Sequence, residues 1–467
     1  MEFRMLQGAA KLQRVSQLVE LLKQDQLEKS LTSQQRVQTL LELRQHGTNP
    51  DNAGPIYSKE GIELLAKYGV TGETTDVRRA ALRCVANALL LNPAMRQLFV
   101  DTGYGGKLAE SLKCDSSDDE MVISRILFLS TYDTTMDFEI LIKNHLLSEN
   151  VNYQITRHAK QFPKSGKKPL SQMDELALID TLKLIFNVSK IYPELAGSFS
   201  PSIPHLFKII SRMDIPEKPL DGLLGYLLNC LSTLDLENKK GKAWESSPLF
   251  PTFNQNCNVD KLINILDQAV SAYKADELET KAIPLFHTLV TIHELAPDGV
   301  RKYMQWLLLP EENDRSRPIG QSDTLSSKLL NLSTTPYPNV KTAISELMFV
   351  LSGKDAENLT RNIGYGFAAG LLASRGMEIP QTAGEAFATN PQGFDPQVNP
   401  ITGQKWAAEK KDEWPPMTKE EKEREAERLF VLFERAKANG ILNVENPVTR
   451  ALHEGRFEEL SDSDDSN

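Results

Sequence analysis

The residues of this chain best placed to do chemistry are three asparagines with cations set beside them. Arg79, Arg83 and Asn87 follow an i, i+4, i+8 series, which puts them on one face of a helix. Lys183 and Asn187 repeat the last step of that series, and Asn229 lies in a similar apolar-apolar-Asn-apolar setting. An asparagine amide carries one acceptor oxygen and two N–H donors. Repeated on successive helices, such amides can hold the main chain of a peptide in a groove. The neighbouring cations would take acidic side chains or a free C-terminal carboxylate. The competing reading is that each asparagine bonds backbone within its own helical array. Either way this is the chemistry of binding.

Bond-making chemistry finds no support. There is no Walker loop, GxSxG, HExxH or CxxC. The seven histidines do not pair at metal-ligand spacing; His287 and His293, six apart, fall on different helix faces. Cys84, Cys114, Cys230 and Cys257 are widely spaced, and two lie in apolar helices, as expected of reduced thiols in a cytosolic protein. Gly364, Gly366 and Gly370 match a phosphate loop only loosely: the third glycine is one residue late and no strand precedes them. Small residues for close packing or a tight turn explain them better. The expectation is no catalytic residue, no metal and no cofactor.

The elements that must position these residues are helices. In RRAALRCVANALLLNP (78–93), Leu82, Val85, Ala86, Leu89 and Leu90 form an apolar stripe, and Pro93 ends the helix. TLKLIFNVSK (181–190) and LLGYLLNCLSTL (223–234) repeat the pattern. Asn187 and Asn229 are 42 residues apart, within the period of armadillo or HEAT units. A chain of 467 residues exceeds one conventional core unless it is an array, and strand signals are nearly absent. The predicted fold is all-α: an armadillo/HEAT-repeat right-handed superhelical solenoid with an extended C-terminal arm and a terminal helix.

Residues 1–375 make the solenoid. Pro284 should kink or divide a helix, 310–324 should be a mobile polar loop, and 237–258 is a long insertion of open role. Residues 376–416 read as a Pro/Gly-rich arm. Residues 417–441 form a helix begun by a capping box at Thr418 and Glu421, ended by Gly440, with Leu429, Phe430 and Phe433 on its apolar face. That face either engages a partner or caps the solenoid. Residues 442–467 form an acidic tail.

The net charge of −10 excludes a generic nucleic-acid binder. In the lysine-rich loop 160–169 no aromatic platform interleaves the lysines, so a solvated loop is expected there rather than a site for nucleic acid or an acidic surface. No stretch approaches the roughly 20 apolar residues of a membrane span, and the N-terminus lacks a signal core. A monomeric, soluble, cytoplasmic protein is expected.

Five stretches carry a family resemblance: RNIGYGFAAGLLASRG (361–376), NPITG (399–403), MTKEEKEREAERLFVLFERAKANGI (417–441), VKTAISELMFVLSGKD (340–355) and ALRCVANALLLNP (81–93). In this order they resemble blocks of the synembryn family. The resemblance implies a cytosolic chaperone and guanine nucleotide exchange factor for heterotrimeric G-protein α subunits, with recruitment to the cell cortex. It implies that the solenoid groove takes the C-terminal helix of Gα, loosening the guanine site until GDP leaves and GTP binding releases the partner. Carried onto this sequence, Arg79, Arg83, Asn87, Lys183, Asn187 and Asn229 line that groove. Leu429, Phe430 and Phe433 belong to the segment engaging the Ras-like domain. Ser461 and Ser463, set among acids, are candidates for the phosphorylation that regulates the family. The rival reading is a solenoid adaptor or scaffold without exchange activity.

Overall fold

The computed structural model describes residues 6–162, 170–237, 247–377, 398–399, 401–409 and 418–438. Helices are their regular structure, and one isolated bridge, Val398 to Lys405, is the whole of their β structure. The chain divides into two units, 1–408 and 409–467.

In the first unit, α1 (Gly8–Glu28) and α2 (Ser33–His46) form a hairpin, with a capping box between Thr32 and Gln35. α3 (Lys59–Thr71) and α4 (Thr75–Leu91) follow, capped by Ser58 and Thr74. The short α5 (Ala94–Asp101) and α6 (Gly105–Ser111) lead to α7 (Ser117–Leu129), where Ser116 caps and Asp118, Asp119 and Glu120 fill the first turn. α8 (Phe138–His145) and α9 (Leu147–Gln161) precede α10 (Gln172–Ile191). A 3₁₀ segment (Pro193–Ser202) leads to α11 (Ile203–Arg212) and α12 (Gly222–Leu231). α13 (Cys257–Ala272) and α14 (Ala275–Lys281) come next. Pro284 sits in the first turn of α15 (Ile283–Leu295) and so divides two helices, as expected. α16 (Asp298–Leu308), α17 (Leu325–Ser333), α18 (Pro338–Leu351) and α19 (Ala356–Ser374) complete the unit.

The packing partners reveal a repeat. α2 packs on α4, α4 on α7, α7 on α10, α10 on α12, α12 on α15 and α15 on α18. This ladder buries the predicted stripe: Leu82, Val85, Ala86 and Leu89 are all at most 5% exposed, although Leu90 is 53% exposed. Each unit contacts its neighbours through one continuous apolar core, the organisation of an α-solenoid.

A buried polar clamp closes the N-terminal end. Arg36 grips both carboxylate oxygens of Asp25, at 2.7 and 3.1 Å, and the Tyr68 hydroxyl donates to the same group at 2.6 Å. Burial alone would raise the Asp25 pKa; the bonds from Arg36, Tyr68 and the Leu31 N–H outweigh it and hold the carboxyl below its ordinary range.

The loop 310–324, expected to be mobile, is instead densely bonded. Asp314, 6% exposed, accepts from the hydroxyls of Ser322, Thr324 and Ser326. Polarity alone suggested mobility, but the polar groups here satisfy one another.

Candidate peptide-binding groove

Lys183, Asn187 and Asn229 come together. They line a cavity of about 190 Å³ with Phe128, Tyr132, Phe186 and Tyr226, drawn from α7, α10 and α12 and the turn after α7. The Lys183 ammonium lies 5.0 Å from the Tyr226 ring centre and 5.5 Å from that of Phe128. It also pairs with Asp180 at 3.4 Å. Asn187 donates to the Thr131 hydroxyl at 2.7 Å, so it bonds the neighbouring repeat through a side chain. Asn229 and Asn87 have no side-chain hydrogen-bond partner among the described residues.

The arginines sit on the same ladder but outside this cavity, and both are paired. Arg79 binds Asp119 through two bonds of 2.8 and 3.0 Å, and Arg83 binds Asp118. Arg125 on α7 likewise grips Asp180 on α10 at 2.8 Å. Such bridges tie successive ladder helices and cancel much of the positive charge expected from the cations alone. Asp180 is 1% exposed, and burial raises its pKa despite Arg125 and Lys183. A partner's carboxylate would have to displace Asp118 or Asp119 to reach the arginines, whereas Lys183 already faces the cavity.

A family model described as "Guanine nucleotide exchange factor synembryn" matches residues 39–456. The chain belongs to the synembryn family. The chaperone Ric-8A of Macaca fascicularis is 26% identical over 89% of this chain and 83% of its own length. A synembryn-like chaperone of Schizosaccharomyces pombe is 25% identical over 73% of this chain and 66% of its own. Among solved structures, a designed armadillo repeat protein aligns with 60% of this chain and 98% of its own at 12% identity, with a TM-score of 0.36.

Two of the stretches that carry the synembryn resemblance meet in space. α19 breaks at Gly364, whose φ is +75°. The residues around 399–403 fill the break: Gly366 N–H donates to the Ile401 carbonyl at 3.3 Å, and Ile319 N–H to that of Thr402 at 3.0 Å. Arg315 bridges the carbonyls of Arg361, Asn362 and Gly403, each at 3.1 Å. The glycines therefore serve a helix break and a close backbone approach. Sequence reasoning anticipated small-residue packing but not its partner 37 residues on. Part of the predicted arm, 398–399 and 401–408, is thus a strap on the array.

The terminal helix, α20 (Lys419–Ala438), has the expected capping box: Glu421 N–H donates to the Thr418 hydroxyl and Thr418 N–H to the Glu421 carboxylate. Leu429, Phe430, Val431 and Leu432 are 58, 40, 43 and 49% exposed. The Phe433 side chain, Gly440, Ser461 and Ser463 lie outside the described residues, as do 163–169 and 238–246. Among the described residues no helix is long and apolar enough to cross a membrane, and no group of His, Cys, Asp and Glu could hold a metal. All four cysteines are free; burial pushes the Cys84 thiol up to about 12.

Aromatic residues were the missed part of the site. Phe128 and Tyr132 stand at i, i+4, and Phe186 and Tyr226 are one and three residues from the groove asparagines. That signal was present in the sequence.

Proposed function

We propose that this chain is a chaperone and guanine nucleotide exchange factor for heterotrimeric G-protein α subunits, acting without covalent chemistry. The C-terminal segment of Gα enters the groove along α7, α10 and α12. Its terminal carboxylate pairs with Lys183, its apolar side chains meet Phe128, Tyr132, Phe186 and Tyr226, and Asn187 and Asn229 hold its main chain. Asn87 extends the track, and Arg79 and Arg83 reach acidic residues farther along the segment by exchanging Asp119 and Asp118 for them. The apolar face of α20 engages the Ras-like domain.

The observation that carries this reading is a cavity formed jointly by three successive ladder helices, with a lysine and two asparagines among aromatics, in a member of this family. Exchange follows by linkage. A factor that binds the opened, nucleotide-free Gα better than the closed GDP state shifts the population toward opening, and GTP reverses the preference. A carrier of basic cargo is less well supported. It would need tryptophans beside the asparagines, whereas Trp306 lines another cleft and Trp406 lies in the strap.

The test is release of labelled GDP from purified Gα in excess GTP. Faster release that is lost when the C-terminal residues of Gα are trimmed supports groove capture. Binding without faster release would leave a chaperone or adaptor, and absence of binding would overturn the proposal.

A further inference from the structure

A second, wider cleft of about 610 Å³ lies where the C-terminal ends of α16 and α18 meet the start of α19. One wall is Trp306, 58% exposed. The indole is braced: the Tyr303 ring centre is 5.9 Å away, and the Tyr303 hydroxyl is fixed by a 2.9 Å bond to Asp260. A large aromatic held open to solvent beside a cleft is the usual form of a contact platform.

The electrostatics favour one sign of ligand. The Glu311 and Glu312 carboxylates stand at the cleft, and among the described residues no basic side chain lines it. Lys405 of the strap pairs with Glu312, whereas the Glu311 carboxylate has no partner among the described residues. The C-terminal ends of two helices, at Gln305–Leu309 and Leu351–Gly353, add carbonyl dipoles of the same sign. Gln305 and Asn362 span the cleft with bonds to the Leu351 carbonyl and the Ser352 hydroxyl, at 2.8 and 3.0 Å, which keeps its floor fixed.

We propose that this cleft binds an arginine side chain from a basic segment of a partner protein. The guanidinium stacks on Trp306, pairs with Glu311 and donates to the carbonyls at the end of α18. Arginine suits the site better than lysine, because a planar, weakly hydrated guanidinium can stack and pair at once. A phosphate-bearing ligand, such as a lipid headgroup, would meet two carboxylates and would have to compete with Glu312 for the Lys405 ammonium. The site is separate from the groove and does not depend on the Gα reading.

The experiment uses the full chain labelled with 5-fluorotryptophan, the Trp306 resonance being assigned by its loss in Trp306→Phe. The probes are the peptides Ac-Gly-Arg-Arg-Gly-NH2 and Ac-Gly-Cit-Cit-Gly-NH2, where Cit is the neutral citrulline. Expected is a saturable shift of the Trp306 resonance by the arginine peptide at roughly millimolar concentration, and none by citrulline. Glu311→Gln should weaken binding by about threefold or more, as loss of a partly exposed ion pair does. Circular dichroism of the variant confirms that it is folded. No saturable shift, an equal shift by citrulline, or unchanged affinity in folded Glu311→Gln would overturn the proposal.

Discussion

Replacing Lys183 with Met separates the groove chemistry from the fold. Methionine keeps an unbranched stem between Phe128 and Tyr226 and removes the charge. In the free protein the loss is a 3.4 Å pair with Asp180 by a side chain 29% exposed, worth about 1 kcal/mol or less. Asp180 keeps its bonds to Arg125, so no buried carboxylate is orphaned. In the complex the loss is larger. A charge-assisted bond between the ammonium and a terminal carboxylate contributes about 1.5–3 kcal/mol, or roughly 10- to 150-fold in affinity. The assay is fluorescence anisotropy with a labelled peptide of the Gα C-terminus, as free acid and as C-terminal amide. Lys183→Met should weaken the free acid by that factor and barely affect the amide, a coupling of more than about 1 kcal/mol. Equal losses for both peptides, or unchanged binding by the folded variant, would refute the pairing.

Four further outcomes follow from the same geometry. Arg36→Met strips Asp25 of its buried partner and should cost about 3–5 kcal/mol by urea denaturation; Asp25→Asn in the same chain should restore part of it. His293 is buried beside Arg301, and burial, then Arg301, lower its pKa to about 4. The unfolded chain therefore takes up a proton near pH 6.5 that the folded chain refuses, so stability is lost as pH falls from there toward 4. His293→Leu should flatten that slope, read from urea midpoints at pH 7.5 and 5. Gly403→Ala puts a Cβ 2.1 Å from an Ile319 methyl at a φ of +66°, and should raise hydrogen exchange at 361–366 and 398–408. Deleting 417–467 should reduce nucleotide exchange more than binding of the isolated Gα peptide, and equal losses would remove α20 from the partner's Ras-like domain.

The helices of the ladder were legible because their apolar stripes recur at helical spacing and their ends carry ordinary signals: Thr32, Ser116, Thr418 and Pro284 all act as their types suggest. The 42-residue step from Asn187 to Asn229 joins two ladder helices, α10 and α12, that pack on each other, and both residues line one cavity. What sequence hid is pairing between repeats. Arg79 and Arg83 look like free groove cations until α7 delivers Asp119 and Asp118 from 35–40 residues away. The strap was hidden for the same reason: nothing local to NPITG tells that its carbonyls will meet a break at Gly364. Both depend on the stacking of distant units, which periodicity implies only in outline.

On the function proposed above, the Gα C-terminus occupies the cavity between α7, α10 and α12. The most direct measurement places the photo-crosslinker p-benzoylphenylalanine at Phe186 and maps its adducts with nucleotide-free Gα by mass spectrometry. Adducts on the last residues of Gα, lost when those residues are removed, are expected. Adducts confined to other parts of Gα, or an unchanged yield with trimmed Gα, would contradict it.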